Sequence, residues 1–539
     1  MCGITGKVSL ANTNVSTHDI ETMTNAIKHR GPDDGGAYIS PDKRVGLGHR
    51  RLSIIDLSPL GHQPMRYLNR YEIVFNGEIY NFQEKRDALE REGYRFTSHS
   101  DTEVILALFD KYRENCLEHL RGMFAFAIYD ERERILFCAR DRVGKKPFKY
   151  FFDGQTFLFA SELKAILTQP EYEKEPDYEA IHHYLTLQYV PAPMTGFKHI
   201  RKLEPGHFLL LNLKTKELKK ERYWKLDYSK KLNLPEETWK KLILQKLEES
   251  TRIRMIADVP LGAFLSGGID SSAVVAMMAR HSANPVKTFS IGFEEEKYNE
   301  LPYARMIAKK FKTDHTEFTV KPDAIDILPL LVRHYEEPYA DSSALATYFV
   351  SKLTREHVTV ALNGDGGDEN FAGYTRYAAF QISNLLDQFD FLNRIAGKPL
   401  TKFLAKNIRN TFFDRLHRFS KSLSDDYRRR YLSYTAYFTN EQKAELYTDE
   451  FKKKVWSKDT YNIIASRFLE SGSKNRTEQA VYADIAAYLP EDLLAKVDIA
   501  TMTVALEGRS PFLDHELLEL TAKIPFSLKL KGFNNKKYI

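Results

Sequence analysis

Two short loops constrain this chain more than anything else in it. Ser266-Gly267-Gly268-Ile269-Asp270-Ser271-Ser272 follows the apolar run Ala263-Phe264-Leu265 and leads into a helical pattern carrying Val274, Val275, Met277 and Met278. Asn363-Gly364-Asp365-Gly366-Gly367-Asp368-Glu369 follows a second apolar run, Val358–Leu362. Strand patterns at Lys287–Ile291 and Glu317–Val320 alternate with helical patterns at Glu237–Arg254 and Pro302–Lys310. Such alternation predicts a parallel, doubly wound α/β sheet, whose ligands bind beyond the carboxyl ends of the strands. Both glycine-rich loops fall at that end.

The first part of the chain has another rhythm. Residues 71–80 and 122–140 are rich in β-branched and aromatic residues, and the second stretch reads as two strands turning at Asp130–Arg134. A helix is expected after Ser16, whose hydroxyl can cap it, with Ile20, Met23 and Ile27 on one face. Residues 83–92 and 102–112 also read as helices. Residues 212–236 are charged and lysine-rich and read as a solvated hairpin plus linker rather than a binding patch. The expected limits are therefore a first domain over 1–212, a linker over 213–236 and a second domain over 237–539. A chain of 539 residues is too long for one core. Residues 375–480 read as mainly helical, without a motif.

An apolar fraction of 43% excludes a disordered chain. The net charge of +6 is small for this length, and no basic block is long enough for a nucleic-acid arm. Three cysteines, Cys2, Cys116 and Cys138, make no disulfide framework, which favours a reducing, cytoplasmic setting. Cys116 and Cys138 sit near apolar segments and are expected to be buried structural residues. No apolar stretch reaches the roughly 18 residues of a membrane span. The start, Met1-Cys2-Gly3-Ile4-Thr5-Gly6, lacks the features of a secretory signal, so Cys2 is expected near the mature N-terminus.

Removal of Met1 would give Cys2 both a thiol and a free α-amine, a nucleophile and a base on one residue. Asn76-Gly77-Glu78 directly follows Ile73-Val74-Phe75, and the Asn76 amide with the Gly77 N–H could donate to a developing oxyanion. The Arg50 guanidinium could fork onto an α-carboxylate, and Glu78 and Asp101 could hold an α-ammonium. Together these groups describe a glutamine pocket, whereas each alone reads as a surface ion pair or a turn. In the second half, loop 266–272 offers backbone N–H groups and hydroxyls at a helix N-terminus, a place for phosphate. It is not a Walker loop. Asp270 beside phosphate points to Mg2+.

Cys-Gly-Ile-x-Gly at the start, HRGPDD (29–34), GHRRLSIIDLSPLGHQPM (48–65), FNGEIYN (75–81), SDTE (100–103) and ARDRVGKKP (139–147) resemble the glutaminase domain of asparagine synthetases. SGGIDSS, KTFSIGF (287–293), NGDGGDENFAGY (363–374) and EGRSPFLDHELLEL (507–520) resemble the synthetase half of the same family. The resemblance implies an αββα N-terminal nucleophile hydrolase domain, then an α/β ATP pyrophosphatase domain with extra helices. It implies Cys2 as nucleophile, an oxyanion hole from Asn76 and Gly77, and glutamine contacts from Arg50, Leu52, Ile54, Asn76, Glu78 and Asp101. For ATP it implies Leu265, Ser266, Gly267, Gly268, Asp270, Ser271, Ser272, Ile291, Asn363 and Gly364, with Asp270 and Asp368 on Mg2+. Asp365 would assist acyl-adenylate formation, and Lys537 would stabilise pyrophosphate.

Some positions depart from the family pattern. Asn363 stands for a usual Ser, Asp365 for a Glu found in some members, and Ala372 for a common Gly. Val143 and Lys145 also depart and are expected to lie away from the pocket. The family usually continues beyond a Lys-Tyr such as that at 537–538, so a truncated chain is expected. The implied activity is ATP-dependent amidation of L-aspartate with ammonia from glutamine, passed through an internal channel. Arg376 is the candidate basic group for the acceptor. Amidation of a sugar carboxylate, closure of a peptide ring and an inactive nucleotide-binding relic are the competing readings. The expected partners are glutamine, aspartate and ATP, without nucleic acid or membrane, and a homodimer is kept open.

Overall fold

The computed structural model describes residues 2–11, 13–293, 299–320, 326–387 and 426–530. Residues 2–222 form two six-stranded antiparallel sheets. The strand Gly3–Ser9 lies inside the first, paired with Val45–Arg51 on one side and Thr156–Ala160 on the other. The strand Tyr71–Ile79 lies inside the second, paired with Gly122–Asp130 and Met65–Tyr67. Alternating residues meet between the sheets, Ile4, Val8 and Leu47 from one against Val74, Ala127, Leu136 and Cys138 from the other. A helix covers each outer face. Thr17–Ala26, closed by a capping box between Ser16 and Asp19, packs Ile20 and Met23 on the first sheet. Asp101–Tyr112 packs on the second, where Cys116 is also buried. This αββα sandwich is the expected N-terminal nucleophile hydrolase fold. The lysine-rich stretch enters as its edge strand, Glu217–Arg222, paired with His207–Asn212.

The second half holds a five-stranded parallel sheet in the order Asp314–Val320, Lys287–Phe293, Leu261–Phe264, Val360–Leu362, Glu507–Arg509. Helices Glu236–Ile253 and Ile269–His281 pack on it through Trp239, Ile243, Val274 and Met278. The fifth strand, three residues in a charged segment, carries no period-2 signature and is legible only in the structure. Among the described residues no helix is long and apolar enough to cross a membrane.

Candidate active sites and the seam between them

Cys2 immediately precedes the first strand and is buried. Burial pushes its thiol up, against the lowering effect of the chain-start amine and the Leu52 carbonyl, 4.0 Å from Sγ. The group is therefore a thiol at neutral pH and needs a base to become the nucleophile. The Cys2 N–H donates to Asn76 Oδ1 at 3.1 Å. That bond turns the Asn76 amide so that its Nδ2 is buried without a partner among the described residues. An orphaned donor next to the sulfur is what an oxyanion hole requires. Gly77 sits where a Cβ would meet the Met123 carbonyl oxygen at 2.1 Å, so the strand admits only glycine there.

Arg50 pairs with Gly3 across the first sheet, and its Nε donates to the Thr24 carbonyl at 3.3 Å. Leu52 and Ile54 turn their side chains into the core of the second half, among Trp239, Ile243 and Leu265. The Leu52 group nearest Cys2 is thus its backbone carbonyl. Glu78 and Asp101 lie buried close to each other and to Glu507. Burial raises Asp101 to about 6 and raises Glu78 strongly, helped by Glu507 and Asp101. Two of these three buried carboxylates share one guanidinium, Arg509, which lies 2.6 Å from Glu507 and 3.6 Å from Glu78. Carboxyls held back from ionising in this way would give up their protons to stand opposite an ammonium group.

In the second half, Leu265 and Ile291 lie at the carboxyl ends of neighbouring parallel strands, with the Leu265 N–H donating to the Phe289 carbonyl. Loop 266–272 is closed on itself by Ser266 and Ser271, whose hydroxyls are 3.0 Å apart, and by the Gly268 N–H on Ser266 Oγ. Gly267 has φ +80° and no room for a Cβ against Tyr303 and Ala304. The second loop rests directly on the first: a Cβ at Gly364 would meet Ser271 N at 2.8 Å, and one at Gly367 would meet the Asp270 carboxyl carbon at 2.4 Å. Asp368 follows in the same turn, at the start of the helix Gly367–Phe371. Ser272 Oγ and Asp365 Oδ2 are buried without partners among the described residues, which fits a cradle shaped for phosphate and a reacting carboxylate. Lys537 lies outside the described residues.

Between the two sites runs a seam of buried polar groups. The fully buried Arg30 donates to the Cys2 carbonyl at 3.1 Å, to Glu162 at 2.8 Å and to Asp498 at 2.9 Å. Lys145 Nζ donates to Ser510 Oγ at 2.8 Å, and Ser510 donates to Asn363 Oδ1 at 2.6 Å. Lys145 therefore does not lie apart from the chemistry, as the sequence suggested. It reaches the second glycine-rich loop from the other domain. Arg376 also differs from expectation: its guanidinium binds Asp484 at 2.7 Å and stacks 4.0 Å above Tyr374, so it is already engaged. Arg30, Asp498, Glu507, Arg509 and Ser510 were missed as site residues. Arg30, Glu507, Arg509 and Ser510 stand inside the family motifs, and for Asp498 the available signal was a charge between the apolar Val497 and Ile499. One His and Glu group among the described residues, His29, Glu162 and His334, has the composition of a metal site. Arg30 and Lys164 already hold its carboxylate, at 2.8 and 2.7 Å.

A cysteine-led αββα sandwich joined to a parallel sheet with two interlocked strand-end loops defines a two-domain amidotransferase. Residues 1–224 match the family described as glutamine amidotransferase domain, and residues 242–539 match asparagine synthase. A glutamine-hydrolysing asparagine synthetase of Bacillus subtilis is 36% identical over 99% of this chain and 83% of its own length. A second one from that organism is 30% identical, again over 99% and 83%. The amidase chyE of Penicillium rubens is 30% identical over 100% of this chain and 84% of its own. The chain belongs to the glutamine-hydrolysing asparagine synthetase family.

Proposed function

We propose that this chain makes L-asparagine from L-aspartate, ATP and glutamine, releasing glutamate, AMP and pyrophosphate. The carrying observation is the partnerless Asn76 Nδ2 beside Cys2, in a chain that matches asparagine synthetases over both domains. In this reading Cys2 Sγ attacks the glutamine amide carbon, and the thiol proton passes through the α-amine to the leaving ammonia. Asn76 Nδ2 and the Gly77 N–H hold the oxyanion, and water then hydrolyses the thioester to glutamate. Glu78 and Asp101 receive the glutamine ammonium and Arg50 its carboxylate; Leu52 and Ile54 contribute backbone.

In the second domain the aspartate β-carboxylate attacks the α-phosphorus of ATP, and pyrophosphate leaves. Ammonia attacks the acyl carbon, and AMP leaves. Loop 266–272 and Asn363-Gly364 hold the nucleotide, Leu265 and Ile291 flank its base, and Asp365 faces the carboxylate being activated. The family resemblance gives Lys537 the role of stabilising pyrophosphate. Asp270 and Asp368 are the carboxylates that would hold Mg2+, which supplies charge neutralisation to the phosphates when bound. Against the expected limit at 212, the edge strand Glu217–Arg222 extends the first domain to 222; we take 1–222 and 237–539 as the two domains, joined through 223–236. Three buried, unpaired cysteines support a cytoplasmic enzyme. Aspartate is favoured over a sugar carboxylate because the names of the Bacillus subtilis relatives give asparagine as what they make. The test incubates the protein with ATP, magnesium, glutamine and aspartate, then with a uronic acid in place of aspartate. Asparagine, glutamate, AMP and pyrophosphate in equal amounts are expected. ADP in place of AMP, or AMP with the uronic acid alone, would overturn the reading.

A further inference from the structure

A cavity of about 180 Å³ lies between the sandwich and the helical region, away from both sites described above. It has room for roughly six waters, at about 30 Å³ each, and is too small for a nucleotide. One wall is Arg142 and Glu204 of the sandwich. The other is Arg467, on the helix Thr460–Glu470, with Ile485 beyond it.

Three buried polar atoms on these residues have no hydrogen-bond partner among the described residues: Arg142 Nε, Arg467 Nε and Glu204 Oε2. In each case the rest of the side chain is fixed. Arg142 is 8% exposed, and its two terminal nitrogens donate to the Leu120 and Leu117 carbonyls at 2.6 and 2.9 Å. Arg467 Nη1 donates to Glu470 at 3.0 Å. Glu204 Oε1 accepts from Lys220 at 2.7 Å. Rotation therefore cannot satisfy the remaining atoms without breaking a bond already made.

The unmet groups are two donors on cations and one acceptor on an anion. A plain anion would satisfy the guanidinium N–H groups but meet Glu204. A plain amine would satisfy Glu204 but meet the arginines. A molecule carrying both charges meets all three, and Val143, Leu226 and Ile485 give an apolar wall for a short carbon chain. We propose that this cavity is a binding site for a small zwitterionic α-amino acid, distinct from the glutamine pocket and from the synthetase loops. Because its walls come from both domains, the ligand clamps them together.

The test screens the common L-α-amino acids for stabilisation of the full chain, then repeats the screen on Glu204→Gln and Arg467→Met. At least one amino acid should raise the wild-type unfolding midpoint, and its Kd should weaken about tenfold or more in each variant. Both variants should keep the wild-type rate of glutamine hydrolysis and of AMP formation. Glu204→Asp should retain part of the binding. The matching amine without its carboxylate, and the matching acid without its amine, should bind at least about tenfold more weakly. The inference is overturned if no amino acid gives a signal sensitive to both variants, as for a cavity filled by water. It is also overturned if the acid or the amine alone binds as well as the zwitterion.

Discussion

The Arg509 guanidinium, on the edge strand of the synthetase sheet, lies 3.6 Å from the Glu78 carboxylate in the glutaminase pocket. One residue thus closes the wall of one site, while its backbone carbonyl accepts the Asn363 N–H at the mouth of the other, at 2.8 Å. Its Nη1 donates to the Arg254 and Ile256 carbonyls at 2.8 and 2.6 Å. Arg509→Met leaves Glu78 and Glu507 buried together without a cation. The expected cost is about 3–5 kcal/mol, the usual result of breaking one side of a buried pair. Glu78 should also hold its proton more tightly, so the KM for glutamine should rise at neutral pH. Thermal unfolding and glutaminase kinetics measure the two effects, and an unchanged midpoint with an unchanged KM would refute both.

Cys2→Ala should abolish glutamine hydrolysis and leave ammonia-dependent AMP formation intact. An added N-terminal residue that blocks the α-amine should have the same effect, since the buried thiol then lacks its base. Gly77→Ala is the backbone counterpart. Its methyl group would press on the Met123 carbonyl oxygen, shift the strand and misplace the Gly77 N–H. Losing one oxyanion donor costs about 10²–10³ in kcat. Retention of wild-type glutaminase activity by either Cys2→Ala or the blocked chain would remove the nucleophile assignment.

These predictions rest on features of unequal legibility. The glycine-rich loops were readable because a strand, a turn and a helix start are encoded locally, and so was the Ser16 cap. The boundaries moved by only a few residues, as with the helix Glu236–Ile253. The strand Glu507–Arg509 was not readable, because it exists only by pairing with Val360–Leu362 across a long separation in sequence. Lys145 and Arg30 follow the same rule. Arg30 was only part of a motif and Lys145 only a departure from one, because their partners, Asp498 and Ser510, come from the far end of the chain. Arg376 failed in the opposite sense: nearness in sequence to an acceptor loop does not reserve a charge, and Asp484 had already taken it.

Glutamine capture should depend on pH through Asp101. Burial raises its carboxyl to about 6, so it loses its charge as pH falls through that value. The free enzyme then has a weaker partner for the substrate ammonium, and kcat/KM for glutamine hydrolysis should fall below about pH 6. Asp101→Asn should raise KM about tenfold or more and flatten that acidic limb. Folding has the opposite sign. A carboxyl raised in the folded state favours folding below its ordinary value of about 3.9. It loses that contribution as pH rises to about 6. A limb that persists unchanged in Asp101→Asn would assign the titration to another group.

Asp270→Asn and Asp368→Asn should each reduce magnesium-dependent AMP formation by about 10²–10³, while glutamine hydrolysis survives in the other domain. Gly367→Ala should resemble Asp270→Asn, because its Cβ would occupy the space of the Asp270 carboxylate. Pyrophosphate release separates the two activities directly. Equal losses of glutaminase and synthetase rates would mean that these loops support the fold rather than the nucleotide.

Arg30 gives the sharpest test of transfer between the sites. It touches the Cys2 carbonyl on one side and Asp498 on the other, and it is fully buried. Ammonia released at Cys2 stays reactive only while it is kept from bulk water, where it would be protonated. Arg30→Met removes the tie between the domains at that point and leaves Glu162 and Asp498 without it. Both half-reactions use residues elsewhere, so glutamine hydrolysis and ammonia-dependent synthesis should each continue in protein that folds. What should change is their ratio: glutamate should accumulate in excess of asparagine as ammonia escapes. Asp498→Asn keeps the shape and one hydrogen bond, so it should shift the ratio in the same direction by less. Glutamate and asparagine measured in one reaction decide the matter. A ratio held at wild-type value in folded Arg30→Met would place the ammonia route elsewhere along the seam.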